Sequence, residues 1–311
     1  MSEGEHYSGG GEKTVAKTVI LDKYLKAYLD IMKANWDGPK WYIDTHSGTG
    51  FTQELGVKIP GSALRALKHD FDKFYFYEKD VGHFETLVET IDQETERSMS
   101  HGEIPDEEIP MAYSEDGSVK VMNMDCNSGV TYLAEHAGYN SHWFTFVDPE
   151  RLTVERELIE RLCRRGKMDI LFNFQTSAFE RNGSDAADHA HAKVASNLGE
   201  GFPVNGSAED YVSYYQDDVF GKMGWKSVSR RMESERSNEW RYDLIFASKK
   251  AVALKIIDDI YTSDLKNDVA REVREWRAKT DTGQTGFGSF VSIPAVDGED
   301  NGQASLFDFE G

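Results

Sequence analysis

Two apolar spacings alternate along this chain. From Glu12 to about Asn35, Leu21, Leu25, Tyr28, Leu29 and Met32 recur three and four apart, the spacing of one helix face. WDGPK at 36–40 breaks that pattern, as Gly-Pro pairs do. Five short apolar runs follow: WYID (41–44), FYFYEKD (74–80), VKVMNMD (119–125), HWFTFVDPE (142–150) and MDILFNF (168–174). Each reads as a strand. Between them lie helical patterns: GSALRALKHD (61–70), with Ser62 as the expected N-cap, GHFETLVETIDQE (82–94), GVTYLAEHA (129–137) and TVERELIERLCRR (153–165). The polar stretch 97–118 reads as an acidic loop. Residues 226–250 read as two strands around a polar turn, a terminal hairpin, and 251–262 and 264–279 as helices.

Strands that alternate with helices imply an α/β fold with a mostly parallel, doubly wound sheet. A closing hairpin narrows this to a Rossmann-like, seven-stranded sheet with one reversed strand, the class I methyltransferase arrangement. The expected organisation is a disordered segment 1–12, one domain over 13–278, and a flexible tail over 279–311. Residues 176–224 are expected to be a helical insertion or cap over the carboxyl edge of the sheet.

Composition changes this picture in one respect. The 311 residues carry 55 acidic and 35 basic side chains, a formal charge of −20. The acid is spread along the chain, which fits a salt-rich cytoplasm such as a halophile's and disfavours bulk attraction to phosphate backbones. No run of about 18 apolar residues is present, so no membrane span is expected. The polar start has no secretory pattern, and a cytoplasmic location is expected. Two cysteines, Cys126 and Cys163, make neither a disulfide framework nor a metal pattern. Cys126 reads as a small packing residue.

The candidate chemistry lies at the ends of the strands. In WYIDTHSGTG, Asp44 ends the first strand and Gly48 and Gly50 follow. No Lys-Ser/Thr follows the glycines, so this is not a P-loop. It is not GxGxxG either, and a carboxylate there would repel a pyrophosphate. S-adenosylmethionine, with a cationic end and no phosphate, suits the loop better. Glu78 ends the second strand, where an acid can accept from ribose hydroxyls. Asp125 ends the third and is a candidate for the adenine amine. Asp148, Pro149 and Glu150 end the fourth. In amino-methyltransferases of DNA, an Asp/Asn-Pro-Pro-Tyr motif at this point holds the target amine and stacks the base. Here the Asp and one Pro remain and Glu150 is a candidate general base. Asn173 is polar within an apolar strand and is a candidate pocket residue.

The segments KTVILDKYLKAYL, YIDTHSGTG, GSALRAL, FYEKD, MDCNSGV, FTFVDPERLT and DILFNF together resemble the three-Cys-motif partner family, TcmP, over roughly residues 13–260. That family is similar to class I S-adenosylmethionine methyltransferases. The resemblance implies that Asp44, Gly48 and Gly50 form the cofactor loop, that Glu78 meets the ribose and Asp125 the adenine, and that Asp148 and Pro149 lie beside the transferred methyl. It also implies a three-cysteine, radical-SAM-like protein as partner. His46 and Glu150 depart from the family's usual residues.

The tail ends in GQASLFDFEG. Gln303, Leu306, Phe307 and Phe309 resemble the PIP box by which replication and repair proteins bind the sliding clamp PCNA, with Glu310 in place of a second aromatic. In one tight turn Leu306 and Phe309 share a face. Two readings follow. One is a methyltransferase acting on nucleic acid or on a partner, in DNA repair or modification. The other is a non-catalytic adaptor of the three-cysteine protein.

Overall fold

The computed structural model describes residues 11–54, 56–104, 109–149, 154–176, 198–199, 201–203, 206–232 and 242–281. The first helix, α1 (Gly11–Asn35), has the extent its apolar spacing predicts. Strand β1 (Lys40–Asp44) follows, then a small hairpin of β2 (Phe51–Glu54) and β3 (Val57–Pro60). Next come α2 (Ser62–Ala66), β4 (Lys73–Tyr77) and α3 (Val81–Glu94). Strands β5 (Met99–Ile104), β6 (Ile109–Ser114) and β7 (Val119–Met122) precede α4 (Cys126–His136), β8 (His142–Val147), α5 (Arg156–Arg165) and β9 (Met168–Phe174). Then α6 (Ala208–Ser213) runs into a π-turn at Tyr214–Phe220. Strands β10 (Lys226–Met232) and β11 (Tyr242–Ser248) and helices α7 (Ala251–Thr262) and α8 (Leu265–Asp281) complete the described fold.

The main sheet runs β10-β11-β9-β8-β1-β4-β7-β6-β5. Its centre, β9-β8-β1-β4-β7, is parallel. One edge carries the antiparallel pair β10–β11, with β11 antiparallel to β9. The other carries a second antiparallel pair, β5–β6, with β6 antiparallel to β7. The sheet therefore has nine strands among the described residues, not the seven expected. The two additional strands come from the stretch read as an acidic loop. Its side chains are mostly half-buried or exposed, with Ile104, Ala112 and Ser114 covered. An edge hairpin with so few buried positions leaves no clear period-two signal in the sequence.

The central strands are buried on both faces, as parallel sheets flanked by helices must be. On one face Tyr42, Phe74, Phe76, Phe144, Phe146 and Phe246 pack with α1, α3, α7 and α8. On the other Ile43, Tyr77, Trp143, Ile170 and Phe172 pack with α4, α5, α6 and the π-turn. Helix α1 lies along the first face. Tyr28 Oη meets His142 Nδ1 at 2.8 Å, where β8 starts, and Lys17 Nζ meets Asp148 Oδ2, just beyond where β8 ends. The amino end of α1 thus reaches the carboxyl edge of the sheet.

One local expectation needs correction. Gly61, not Ser62, caps α2, and no side chain caps it. The glycine loop after β1 does not lead directly to a helix, because the β2–β3 hairpin intervenes. Gly56, at φ 74°, sits in its turn. No described helix is long and apolar enough to cross a membrane.

Candidate functional site

Crossover connections place the ends of β1, β4, β7 and β8 side by side. In open α/β sheets ligands bind at those carboxyl ends. Asp44, Glu78, Asp125 and Asp148 all fall there, as does the loop 45–50.

The loop is fastened at both sides. Thr45 N donates to Phe146 O at 3.1 Å and Ser47 N to Tyr77 O at 3.0 Å. Gly48 (φ 59°) and Gly50 (φ 87°) then take left-handed conformations that disfavour a side chain. At Gly48 a Cβ would meet nothing within 4 Å among the described residues, so the backbone there faces open space in the described fold. At Gly50 a Cβ would come 3.0 Å from Thr90 Cγ2.

Asp44 is fully buried. It accepts from Tyr42 Oη at 3.3 Å, from His46 N at 3.2 Å and from the Ser62 hydroxyl. Burial outweighs these donors and pushes its carboxyl up to about 7, and the Asp148 charge adds to the rise. Near neutral pH Asp44 is therefore partly protonated, and it holds the loop together from beneath.

Glu78 spans the cleft. Its Oε2 accepts from Gly48 N at 3.0 Å and its Oε1 from Asp80 N at 2.9 Å. The acid at the end of β4 is thereby locked against the glycine loop. Asp125 caps α4, accepting from Asn127 N at 2.9 Å, and pairs with Lys79 Nζ at 3.3 Å. Its side chain stays one-third exposed.

Beyond β8, Asp148 accepts from Lys17 Nζ at 2.5 Å through Oδ2 and from Asn173 Nδ2 at 2.6 Å through Oδ1. Gln175 Nε2 donates to Pro149 O at 3.2 Å. Among the described residues, Asn173 Oδ1 is buried with no hydrogen-bond partner. An apolar cleft lined by Pro149, Val154, Phe172, Phe174, Leu198 and Tyr215 opens next to this group. His46 bridges the two halves, with Nδ1 2.7 Å from Thr45 Oγ1 and Nε2 3.6 Å from Cys126 Sγ. Burial lowers its pKa to about 4, so the ring is neutral. Burial also pushes the Cys126 thiol up to about 12, as suits a packed, unreactive cysteine.

Glu150 and the tail residues Gln303, Leu306, Phe307 and Phe309 lie outside the described residues. Lys17 had no role in the sequence reading. Its only sequence signal is its place at the head of KTVILDKYLKAYL. Among the described residues no group of three or more His, Cys, Asp or Glu is arranged to hold a metal ion.

No family model and no curated protein matches the sequence. Among solved structures, a Legionella pneumophila protein, LPL1258, is similar at TM-score 0.45 and 13% identity, over 80% of this chain and 90% of that one. The methyltransferase domain of bacterial CtHen1 is similar at TM-score 0.39 and 10% identity, over 74% of this chain and 100% of that one. The plantazolicin methyltransferase BpumL, solved with SAH, is similar at TM-score 0.38 and 7% identity, over 76% and 86%.

Proposed function

We propose that this protein binds S-adenosylmethionine at the carboxyl ends of β1, β4 and β7 and acts as a methyltransferase. The observation that carries the reading is the register of four acids on adjacent strand ends around a left-handed glycine loop, with Glu78 bonded to that loop at Gly48. The residues present fit the cofactor. Open space beside Gly48 admits a ligand against the backbone, and Glu78 at the end of β4 and the partly exposed Asp125 offer acceptors for hydroxyl and amino groups. A bound cofactor would supply an electrophilic methyl group. Asp148 and Asn173 would orient the acceptor, and Pro149, Phe172, Phe174 and Tyr215 would exclude water beside it.

The finer reading is a TcmP-like enzyme of DNA repair or modification, tethered to PCNA through residues 303–310. The quoted segments and the Gln303, Leu306 and Phe309 spacing support it. A tether of that kind raises local concentration where phosphate attraction is weak. A second reading, an adaptor of a three-cysteine partner, is favoured by one observation: both Asp148 oxygens are already engaged by this chain.

Titration calorimetry in strong salt tests the cofactor. S-adenosylmethionine or its demethylated product should bind. Asp44→Ala and Glu78→Ala should each weaken binding by roughly tenfold or more, about 1.4 kcal/mol or above. Absence of heat with both ligands would overturn the reading.

A further inference from the structure

The acceptors expected to receive a target amine are filled from within the chain. Asp148 Oδ2 holds the Lys17 ammonium, Asp148 Oδ1 holds the Asn173 amide, and Pro149 O holds the Gln175 amide. Two of these three donors are carboxamides, whose nitrogen lone pairs are delocalised and poorly nucleophilic. The third is a primary amine. It arrives from 131 residues away, on a helix laid so that its amino end meets the strand ends. Its side chain is 14% exposed. Its partner Asp148 lies two residues beyond Phe146, whose carbonyl accepts from Thr45 N at the start of the glycine loop at 3.1 Å, so amine and candidate cofactor loop meet at the same edge of the sheet.

From this we infer that Lys17 is a methyl acceptor of this protein's own site. The inference rests on the cofactor reading above. In the step, the Lys17 ammonium passes one proton to Asp148, and the freed lone pair forms an N–C bond to the methyl carbon. The S–C bond breaks with its electron pair going to sulfur. S-adenosylhomocysteine leaves, the methylated nitrogen is a secondary ammonium as it forms, and Asp148 releases the proton it took to solvent. No electrons are exchanged with any other reactant. The site is thereby assigned an alkyl amine as its class of acceptor.

Two measurements test this on the full chain. The first needs no cofactor. Under limited lysine acetylation, Lys17 should label several-fold more slowly than Lys79, whose side chain is 77% exposed. Asp148→Asn should remove most of that protection. Equal labelling of Lys17 in both proteins would overturn the seating of the amine. In the second, the chain is incubated with S-adenosylmethionine and digested. A mass increase of one methyl group (about 14 Da, the chemistry of replacing N–H by N–CH3) should map to Lys17. It should be first order and independent of protein concentration, and absent from Lys17→Arg at that position. Asp148→Asn should slow it by roughly a hundredfold or more, the low end of what a positioned general base contributes. If calorimetry shows bound cofactor and Lys17 stays unmodified, the inference falls while the cofactor reading stands. If no cofactor binds, both fall.

Discussion

At the scale of single residues, burial decides what each acid does. Asp44 and Asp148 stand on neighbouring strand ends, yet Asp44 is sealed beneath the loop and Asp148 is held by Lys17. Burial raises the Asp44 carboxyl from 3.8 to about 7. The folded state therefore prefers the protonated acid. Its contribution is fully present below pH 3.8 and is lost as pH rises through 7. His46 and His142 act in the opposite sense. Burial lowers each from 6.5 to about 4, so the stability they confer is present above 6.5 and lost as pH falls through 4. Asp44→Asn isolates the acid. Relative to wild type, the variant should gain on the order of 2 kcal/mol between pH 5 and pH 8. Urea unfolding of both proteins at the two pH values measures it, and a difference independent of pH would refute the assignment. The sequence placed Asp44 at a strand end. Its burial required Ser62 and Tyr42 to close around it.

Among the elements, one contact sets how α4 seats on the sheet. Gly129 lies against the Tyr77 ring, where an added Cβ would fall 2.3 Å from Cε1, and Tyr77 Oη donates to Gly129 O at 3.1 Å. Tyr77 is fully buried and cannot swing aside. Gly129→Ala should therefore push α4 off β4 and cost about 1–3 kcal/mol. Asp125 caps that same helix, so the variant should also weaken cofactor binding. Denaturant midpoints and calorimetry check both effects, and an unchanged midpoint would show that α4 is seated some other way. Long, strongly periodic elements were legible in the sequence: α1 and the five central strands stand where the pattern puts them. The β2–β3 hairpin was missed although Gly56 marks its turn, because each arm has only four residues. Tertiary contacts also decide the role of the last residue of α5. Arg165 is buried over the Trp143 ring at 3.6 Å and donates to Ser141 O at 3.2 Å. Packing, more than the helix dipole, holds it.

For the whole molecule, the charge of −20 bears on partners. Such a surface gains little from phosphate contacts in strong salt, so under the proposed role on DNA a protein-mediated tether would be the more effective route. If residues 303–310 supply it, the full chain should bind PCNA and a chain ending at Gly302 should lose most of that affinity. Titration of the clamp against both chains decides this. Equal binding, or none, would remove the clamp from the account. Cofactor affinity should be the same for both chains, since the candidate cofactor site lies within residues 44–148.

The sequence by itself determined the alternation of strands and helices, and the placing of an acid after each of four strands. Both are local properties, because side-chain period encodes element type within one or two turns of chain. Tertiary structure alone decided the rest. It joined β5–β6 to the edge of β7, sealed Asp44 under its loop, and brought Lys17 to Asp148. These depend on atoms far apart in the chain. Desolvation and ion pairing arise from what surrounds a group in space, and no local spacing records which distant side chain will arrive there.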